Sequence, residues 1–169
     1  SWKDSYSSSE LNYNISENIK VPKFGCFTDQ RIEKIIDRKI TINKIWSIGG
    51  TQGWYYANWL WKIRGFLDTL TGGVGLRRGR TNISKISVGD SLDFWRVIYA
   101  NKKEGRLLLF AEMKLPGEAW LEFKIVDGDL VQTATFRPLG VAGRLYWYLV
   151  YPLHEIIFLG LIRKLTNIN

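Results

Sequence analysis

The stretch RLLLFAEMKLPGEAWLEFKIVDGDLVQTATFRP, residues 106–138, decides the predicted fold because apolar runs alternate with turn signals. Pro116-Gly117 and Asp127-Gly128 separate the runs, and such pairs favour tight hairpins. The preceding SLDFWRVIY and NKKEG add one more strand and one more turn. Together these segments predict an antiparallel meander of four strands.

Other elements flank the meander on both sides. Residues 28–36 alternate weakly as a first strand, residues 40–48 have near-helical spacing, and the aromatic segment that follows is helical in pattern. GVAGRLYWYLVYPLHEIIFLGLIRKL, from residue 140, is a helix-length apolar segment. This segregated order predicts an α+β domain over residues 28–169, preceded by a polar linker or N-terminal arm at residues 1–27.

Hairpin geometry predicts which side chains face the helices. A two-residue loop at Pro116-Gly117 places Phe110 opposite Phe123, and a two-residue turn at Asp127-Gly128 places Phe123 opposite Gln132. The side that carries these phenylalanines is the more apolar one, so we expect it to pack inward.

The same register puts the charged residues Glu112 and Lys114 on that apolar side, and a separate register for the NKKEG turn adds Asp93 and Trp95. Buried charges are costly, so they would pair with one another, meet water or orient a polar group of a ligand. A one-residue slip or a bulge would instead leave them outside as solvated charges, and both alternatives stay open.

The segment GGTQGWYYANWLWKIRG, residues 49–65, puts five aromatic rings into eight positions. It suits a membrane anchor, an ordinary core helix or one wall of an apolar pocket. Asn58, Lys62 and Arg64 disfavour a bare anchor. We therefore expect a half-buried helix that shapes a cavity, with the core helix as the alternative.

Composition argues against several function classes. The formal net charge is +8 with a pI of about 9.6, yet no run of five or more basic residues occurs, so we expect no nucleic-acid partner. The lone cysteine, Cys26, excludes an internal disulfide and favours a reducing, cytoplasmic compartment. No metal-ligand spacing is present. The chain begins at Ser1 without Met, so we expect a piece of a longer protein.

Two further segments allow more than one interpretation. The last helix approaches the length of a membrane span, but Pro152 and Glu155 near its middle favour a buried helix held by the sheet over a span, with contact to a partner or a membrane surface as the alternative. The glycine-rich GGVGLRRGR could bind an anion through Arg77, Arg78 and Arg80, or it is a flexible turn with solvated arginines.

Four long motifs follow one another in order: IGGTQGWYYANWLWKIRGFLDTLTGGVGLRRGR, GDSLDFWRV, AEMKLPGEAWLEF and QTATFRPLGVAGRLYWYLVYPLHEIIFLG. Over about residues 28–165 the chain resembles a bacterial domain of unknown function that follows an NmrA-like, NAD(P)-binding Rossmann domain in atypical short-chain dehydrogenase/reductase-like proteins. The resemblance implies a START-like, polyketide-cyclase-like helix-grip fold, with an apolar cavity between a curled sheet and the C-terminal helix. It also implies NAD(P) in the preceding domain, and we expect no cofactor in this chain.

We expect an accessory domain of an oxidoreductase-like protein that binds a small apolar ligand in that cavity. One alternative is an interaction module that docks on the Rossmann domain, a second copy or a membrane surface. Another is a cyclase- or hydratase-like enzyme that uses Asp93, Glu112 or His154 as acid and base. The predicted ligand-binding residues are Trp54, Tyr55, Trp59, Trp61, Asp93, Trp95, Phe110, Glu112, Lys114, Phe123 and Tyr146.

Overall fold

The computed structural model describes residues 21–49, 53–55, 62, 66, 70, 72, 78–79, 85–92, 95–112 and 115–167. These residues confirm the predicted α+β class, with an antiparallel sheet and a long C-terminal helix. The elements are β1 (Phe27–Lys34), α1 (Arg38–Trp46), β2 (Arg78–Gly79), β3 (Ser91–Leu92), β4 (Trp95–Asn101), β5 (Arg106–Ala111), β6 (Gly117–Val126), β7 (Asp129–Pro138) and α2 (Gly140–Thr166).

The strand order makes β1 and β7, the first and last strands along the chain, neighbours in the sheet. The order is β1-β7-β6-β5-β4-β3-β2, and every adjacent pair is antiparallel. Helix α2 follows β7 after a single residue and contacts β7, β1 and α1. The long helix is therefore held at the β1–β7 side of the sheet, where the meander ends.

Helix α1 begins and ends where its sequence predicts. The Asp37 side chain caps its first turn, accepting a hydrogen bond from the backbone N–H of Ile40 at 2.9 Å. Ile42, Ile45 and Trp46 are buried at about one helical period, which directs this helix into the core. Ser47 ends the helix, so the predicted helix at residues 40–48 is confirmed with a small shift.

The core lies between one face of the sheet and α2. Leu107, Leu109, Leu121 and Phe123 are fully buried on that face. A single buried polar side chain also joins the two layers there. Gln132 of β7 donates from Nε2 to the backbone carbonyl of Phe158 in α2, at 2.9 Å. Such a bond fixes the position of α2 along β7, in addition to holding the helix against the strand.

The register of the second predicted hairpin is confirmed. Phe123 lies opposite Gln132, and the turn residues Asp127 and Gly128 have φ values of 49° and 83°. Positive φ at both central residues matches the twist of a two-residue hairpin, which is why Asp-Gly is favoured there.

The register of the first predicted hairpin is wrong. Phe110 lies opposite Trp120 rather than Phe123, because β5 ends at Ala111 and the connection to Gly117 is longer than two residues. The observed pairing shifts by three positions, an odd number, so the faces exchange. Leu107 and neighbouring apolar residues of β5 then pack inward, whereas the buried Arg106 of this strand is ion-paired with Glu122.

The aromatic segment is not helical at its start, contrary to the prediction for Trp54 and Tyr55. Trp54 lies in a turn and is buried, whereas Tyr55 lies in a bend with a φ of 61°. That φ value is in the left-handed region, which a continuous right-handed helix excludes. Further along, Lys62, Phe66 and Leu70 are helical and exposed.

One glycine of α2 marks the closest approach of that helix to the rest of the fold. A Cβ at Gly143 would lie 2.4 Å from the carbonyl oxygen of Pro116 and 2.9 Å from the Cα of Pro138. Both are backbone atoms, so neither can rotate away. The absence of a side chain at this position therefore lets the first turns of α2 rest on the β5–β6 connection and the end of β7.

We predict that Gly143→Ala destabilises the protein. In a free helix interior the change adds about 1 kcal/mol of stability, but here the clash with backbone should lower the free energy of unfolding by about 1–3 kcal/mol. Urea denaturation measures the difference. Arg144→Ala, at the exposed next residue, is the control and should stay within about 0.5 kcal/mol. A Gly143→Ala protein as stable as the original would contradict the close approach.

Candidate functional site

A partly open pocket lies between the sheet and α2. Its volume is about 50 Å³, and its walls come from the start of β4, the β5–β6 connection, β6, β7 and the middle of α2. Most of its lining is apolar and aromatic. The lining residues are Trp95, Leu115, Ala119, Trp120, Ala134, Thr135, Phe136, Tyr146, Trp147, His154 and Phe158.

The pocket is supported on one side by a stack of three rings. Trp147 of α2 lies parallel to Phe27 of β1, with centroids 5.2 Å apart, and parallel to Phe136 of β7, at 5.9 Å. The interplanar angles are 5° and 8°. Trp147 therefore packs on both β1 and β7, and its position sets the distance between α2 and the sheet.

Further rings follow Trp147 along one face of α2. Tyr151, His154 and Phe158 follow Trp147 at spacings of four, seven and eleven residues. The His154 ring stands edge-on to Trp147, with centroids 6.1 Å apart, and edge-on to Phe158, at 5.2 Å. His154 is half-buried and lines the pocket, so the only histidine of the chain lies in an aromatic wall.

Two of the predicted ligand-binding residues line this pocket, namely Trp95 and Tyr146. Two others lie on the inner side without being part of its lining. Phe123 is fully buried on the inner face of β6, and Trp54 packs 6.3 Å from the Trp95 ring. Tyr55 is half-buried against the same core.

Phe110 and Glu112 lie on the opposite face of the sheet, which corrects their predicted inward orientation. Phe110 packs against Trp120 at 5.5 Å, and Glu112 forms an ion pair with Arg96, whose Nη2 is 3.0 Å from Glu112 Oε2. That carboxylate raises the pKa of Arg96 above its usual value, by hydrogen bonding and by charge attraction. The physical reason is the register shift, because a partly solvated ion pair costs less than a carboxylate buried under the helix.

The remaining predicted site residues cannot be compared with the pocket. Trp59, Trp61, Asp93, Lys114, Arg77 and Arg80 lie outside the described residues, and of Arg78 only the backbone of β2 is described. The predicted cluster of Asp93, Glu112 and Lys114 has only its Glu112 member described. Since Glu112 is bound by Arg96 on the outer face, that residue does not orient a ligand under α2.

Several pocket residues were missed by sequence reasoning. Trp147 and Phe158 belong to an aromatic pattern in α2 from which the sequence analysis predicts only an apolar helix. His154 is predicted as a candidate acid or base, but not as part of a ligand-binding wall. Ala119 and Ala134 gave no signal, because small apolar residues in strands are equally typical of a filled core. Their role follows only from their position beneath α2.

The described residues contain no group of three or more His, Cys, Asp or Glu side chains placed to hold a metal ion. Cys26 is a free thiol, and its Sγ donates to the carbonyl of Phe24 at 3.4 Å. Neither feature adds chemistry to the pocket. The arrangement there is a small apolar pocket with a few polar atoms in its wall.

An α+β domain with an aromatic pocket beneath its last helix is thus the class of protein that the fold and the site define. The family described as "Protein of unknown function (DUF2867)" matches residues 26–161, which is most of the chain and includes the whole pocket lining. The chain belongs to this family. Comparison with curated proteins finds no match.

We predict that Trp147→Ala strongly destabilises the fold. The change removes a buried ring from between Phe27 and Phe136, and truncations of this size cost about 3–5 kcal/mol of unfolding free energy. Chemical denaturation followed by circular dichroism measures the loss. Leu149→Ala, two residues along the same helix but 81% exposed, is the matched control and should cost under about 0.5 kcal/mol. Equal losses in the two variants would show that the stack does not hold α2.

Proposed function

We propose that this chain is a binding domain for a small apolar molecule, held between the sheet and α2. The observation that carries the proposal is the partly open pocket with an aromatic lining. A pocket that is apolar and open to solvent exposes surface that a ligand can cover, and the burial of that surface favours binding. Aromatic walls add edge-to-face and stacked contacts with a ring.

The size of the pocket sets the size of the bound group. About 50 Å³ is room for only a few water-sized atoms. Since the pocket is not sealed, the bound group is the edge of an aromatic ring or the end of an acyl chain, and the rest of the molecule extends through the opening. Thr135, Tyr146 and His154 bring polar atoms into the lining, where they can orient one polar substituent of the ligand.

The sequence resemblance suggests the kind of protein in which this binding domain acts. The motifs resemble START-like domains placed after an NmrA-like, NAD(P)-binding Rossmann domain, so we propose an accessory role in an oxidoreductase-like protein. In such a protein the pocket would hold a substrate or an apolar effector. The NAD(P) would belong to the preceding domain. The antiparallel sheet with a long helix across one face supports this proposal at the level of fold class.

Isothermal titration with indole and with decanoate tests the binding function with one aromatic ring system and one acyl chain. We predict saturable binding of at least one probe, with one site per chain. Ala119→Phe should abolish it, because the added ring fills the pocket beneath α2. Val126→Phe, an exposed position on the same strand, is the matched control and should bind as the original protein does.

A second control separates this pocket from the other face of the sheet. Lys124→Ala changes an exposed residue on the outer face of β6, away from the pocket lining, and should leave the affinity for the probe unchanged. Absence of saturable binding for both probes would refute the proposal. So would an Ala119→Phe variant that keeps its fold by circular dichroism and still binds with the original affinity.

A further inference from the structure

The face of α2 that points away from the sheet carries a continuous apolar surface. Six residues lie within an arc of about 100° around the helix, given the helical period. All six are exposed, and five of them are large side chains with between 57% and 81% of their surface accessible. We call them the outward stripe, which consists of Val141, Leu145, Tyr148, Leu149, Pro152 and Ile156.

The outward stripe is larger than the scattered apolar exposure of an ordinary monomer. Helix α2 is long and apolar enough to cross a membrane by length and composition, yet only 28% of its most apolar 18-residue window is buried. A core helix of a soluble protein is mostly buried. Contiguous exposed apolar surface of this kind is typical of an interaction site.

The charges around the stripe favour an anionic partner. Helix α2 contains three basic residues, Arg144 near its start and Arg163 and Lys164 in its last turn, and all three are exposed. Glu155 is its one acidic residue. None of the three basic residues is in an ion pair within the part of the chain that the structure describes. The chain as a whole carries +8, which adds a long-range attraction toward negative surfaces.

The shape of the site selects among anionic partners. The stripe lies on a single helix that stands out from the domain, so it is convex and about 22 Å long at the rise of an α-helix. A second copy of the chain would bring another charge of +8 against it, which opposes association. A bilayer of anionic lipid offers apolar depth for the stripe and negative headgroups for the basic residues at both ends.

We propose that α2 lies on the surface of an anionic membrane with the outward stripe embedded among the lipids. The opposite face stays on the sheet, because Trp147 and Phe158 are buried there and a span would expose them. Tyr148 and Tyr151 lie at the margin of the embedded face, because their rings also contact Phe27 and Trp147, each at 5.6 Å. An apolar ring with a polar hydroxyl is favoured at that interfacial depth. The pocket plays no part in this contact, so the proposal is independent of ligand binding.

Vesicle flotation tests the contact. The chain should float with phosphatidylcholine vesicles that contain about 30% phosphatidylglycerol, and much less with phosphatidylcholine alone. The double variant Leu145→Gln/Leu149→Gln should reduce the bound fraction about tenfold, because polar side chains replace the centre of the stripe. Ile32→Gln/Val88→Gln changes two apolar residues that are 58% and 65% exposed elsewhere, and should float as the original protein does.

A fluorescence measurement locates the face that enters the lipid. In a Cys26→Ser background, Leu149→Cys and Val88→Cys each carry an environment-sensitive nitrobenzoxadiazole label. Anionic vesicles should shift the emission of the label at position 149 to the blue and leave that at position 88 unchanged. Raising NaCl from about 0.05 M to about 0.5 M should weaken the binding.

Three results would overturn the proposal. The first is the absence of flotation with anionic vesicles, and the second is equal flotation of the two double variants. The third is a dimer, seen by size exclusion with light scattering, that Leu145→Gln/Leu149→Gln dissociates, since the stripe would then be a contact between copies. Because all four substituted side chains are exposed, the variants should keep the original melting temperature.

Discussion

The parallel stack of Trp147 between Phe27 and Phe136 is the interaction on which the rest of the structure depends. It joins the first strand, the last strand and the long helix in one contact. One residue, Leu139, joins β7 to α2 and is hydrogen-bonded to the Pro116 carbonyl, and the ring stack then holds the middle of the helix on the sheet. With the rings in place, one face of α2 is committed to the sheet and the opposite face is left to solvent or to a partner.

The pocket follows from the same contact. Trp147 keeps the middle of α2 above the sheet by the thickness of its ring, while Gly143 lets the start of the helix come down onto backbone. Beneath the middle of the helix lie Ala119 and Ala134, which are too short to fill the space under the rings. Large residues on the helix over small residues on the strands leave a gap unless another side chain enters it.

Local turn chemistry explains which parts of the fold could be predicted. Asp127-Gly128 fixes its hairpin because both residues adopt positive φ. These two residues are therefore enough to predict the register of β6 and β7. Pro116-Gly117 gave the same signal without forming such a turn. Gly117 begins β6, and the carbonyl of Pro116 accepts a hydrogen bond from the N–H of Leu139. That bond is a long-range contact, which no local pattern contains.

The candidate site could be predicted only in part, because the face on which a strand residue lies depends on the same turn geometry. Trp95 and Tyr146, which are predicted to bind a ligand, line the pocket because they lie on a strand and a helix whose inward faces are strongly apolar. Phe110 and Glu112 were misplaced because one wrong turn length exchanges the two faces of a strand. The position of His154 at the pocket could not be predicted from the sequence. A single histidine in an apolar helix resembles a core residue, and only its position beside Trp147 shows that it also borders open space.

The most direct measurement of the central claim is an NMR structure of the chain with indole bound. The account predicts nuclear Overhauser effects between the ring protons of indole and the side chains of Trp95, Ala119 and Tyr146, with α2 still packed on β1 and β7. Effects from indole to Tyr99 on the outer face, or a helix released from Phe27 and Phe136, would contradict it.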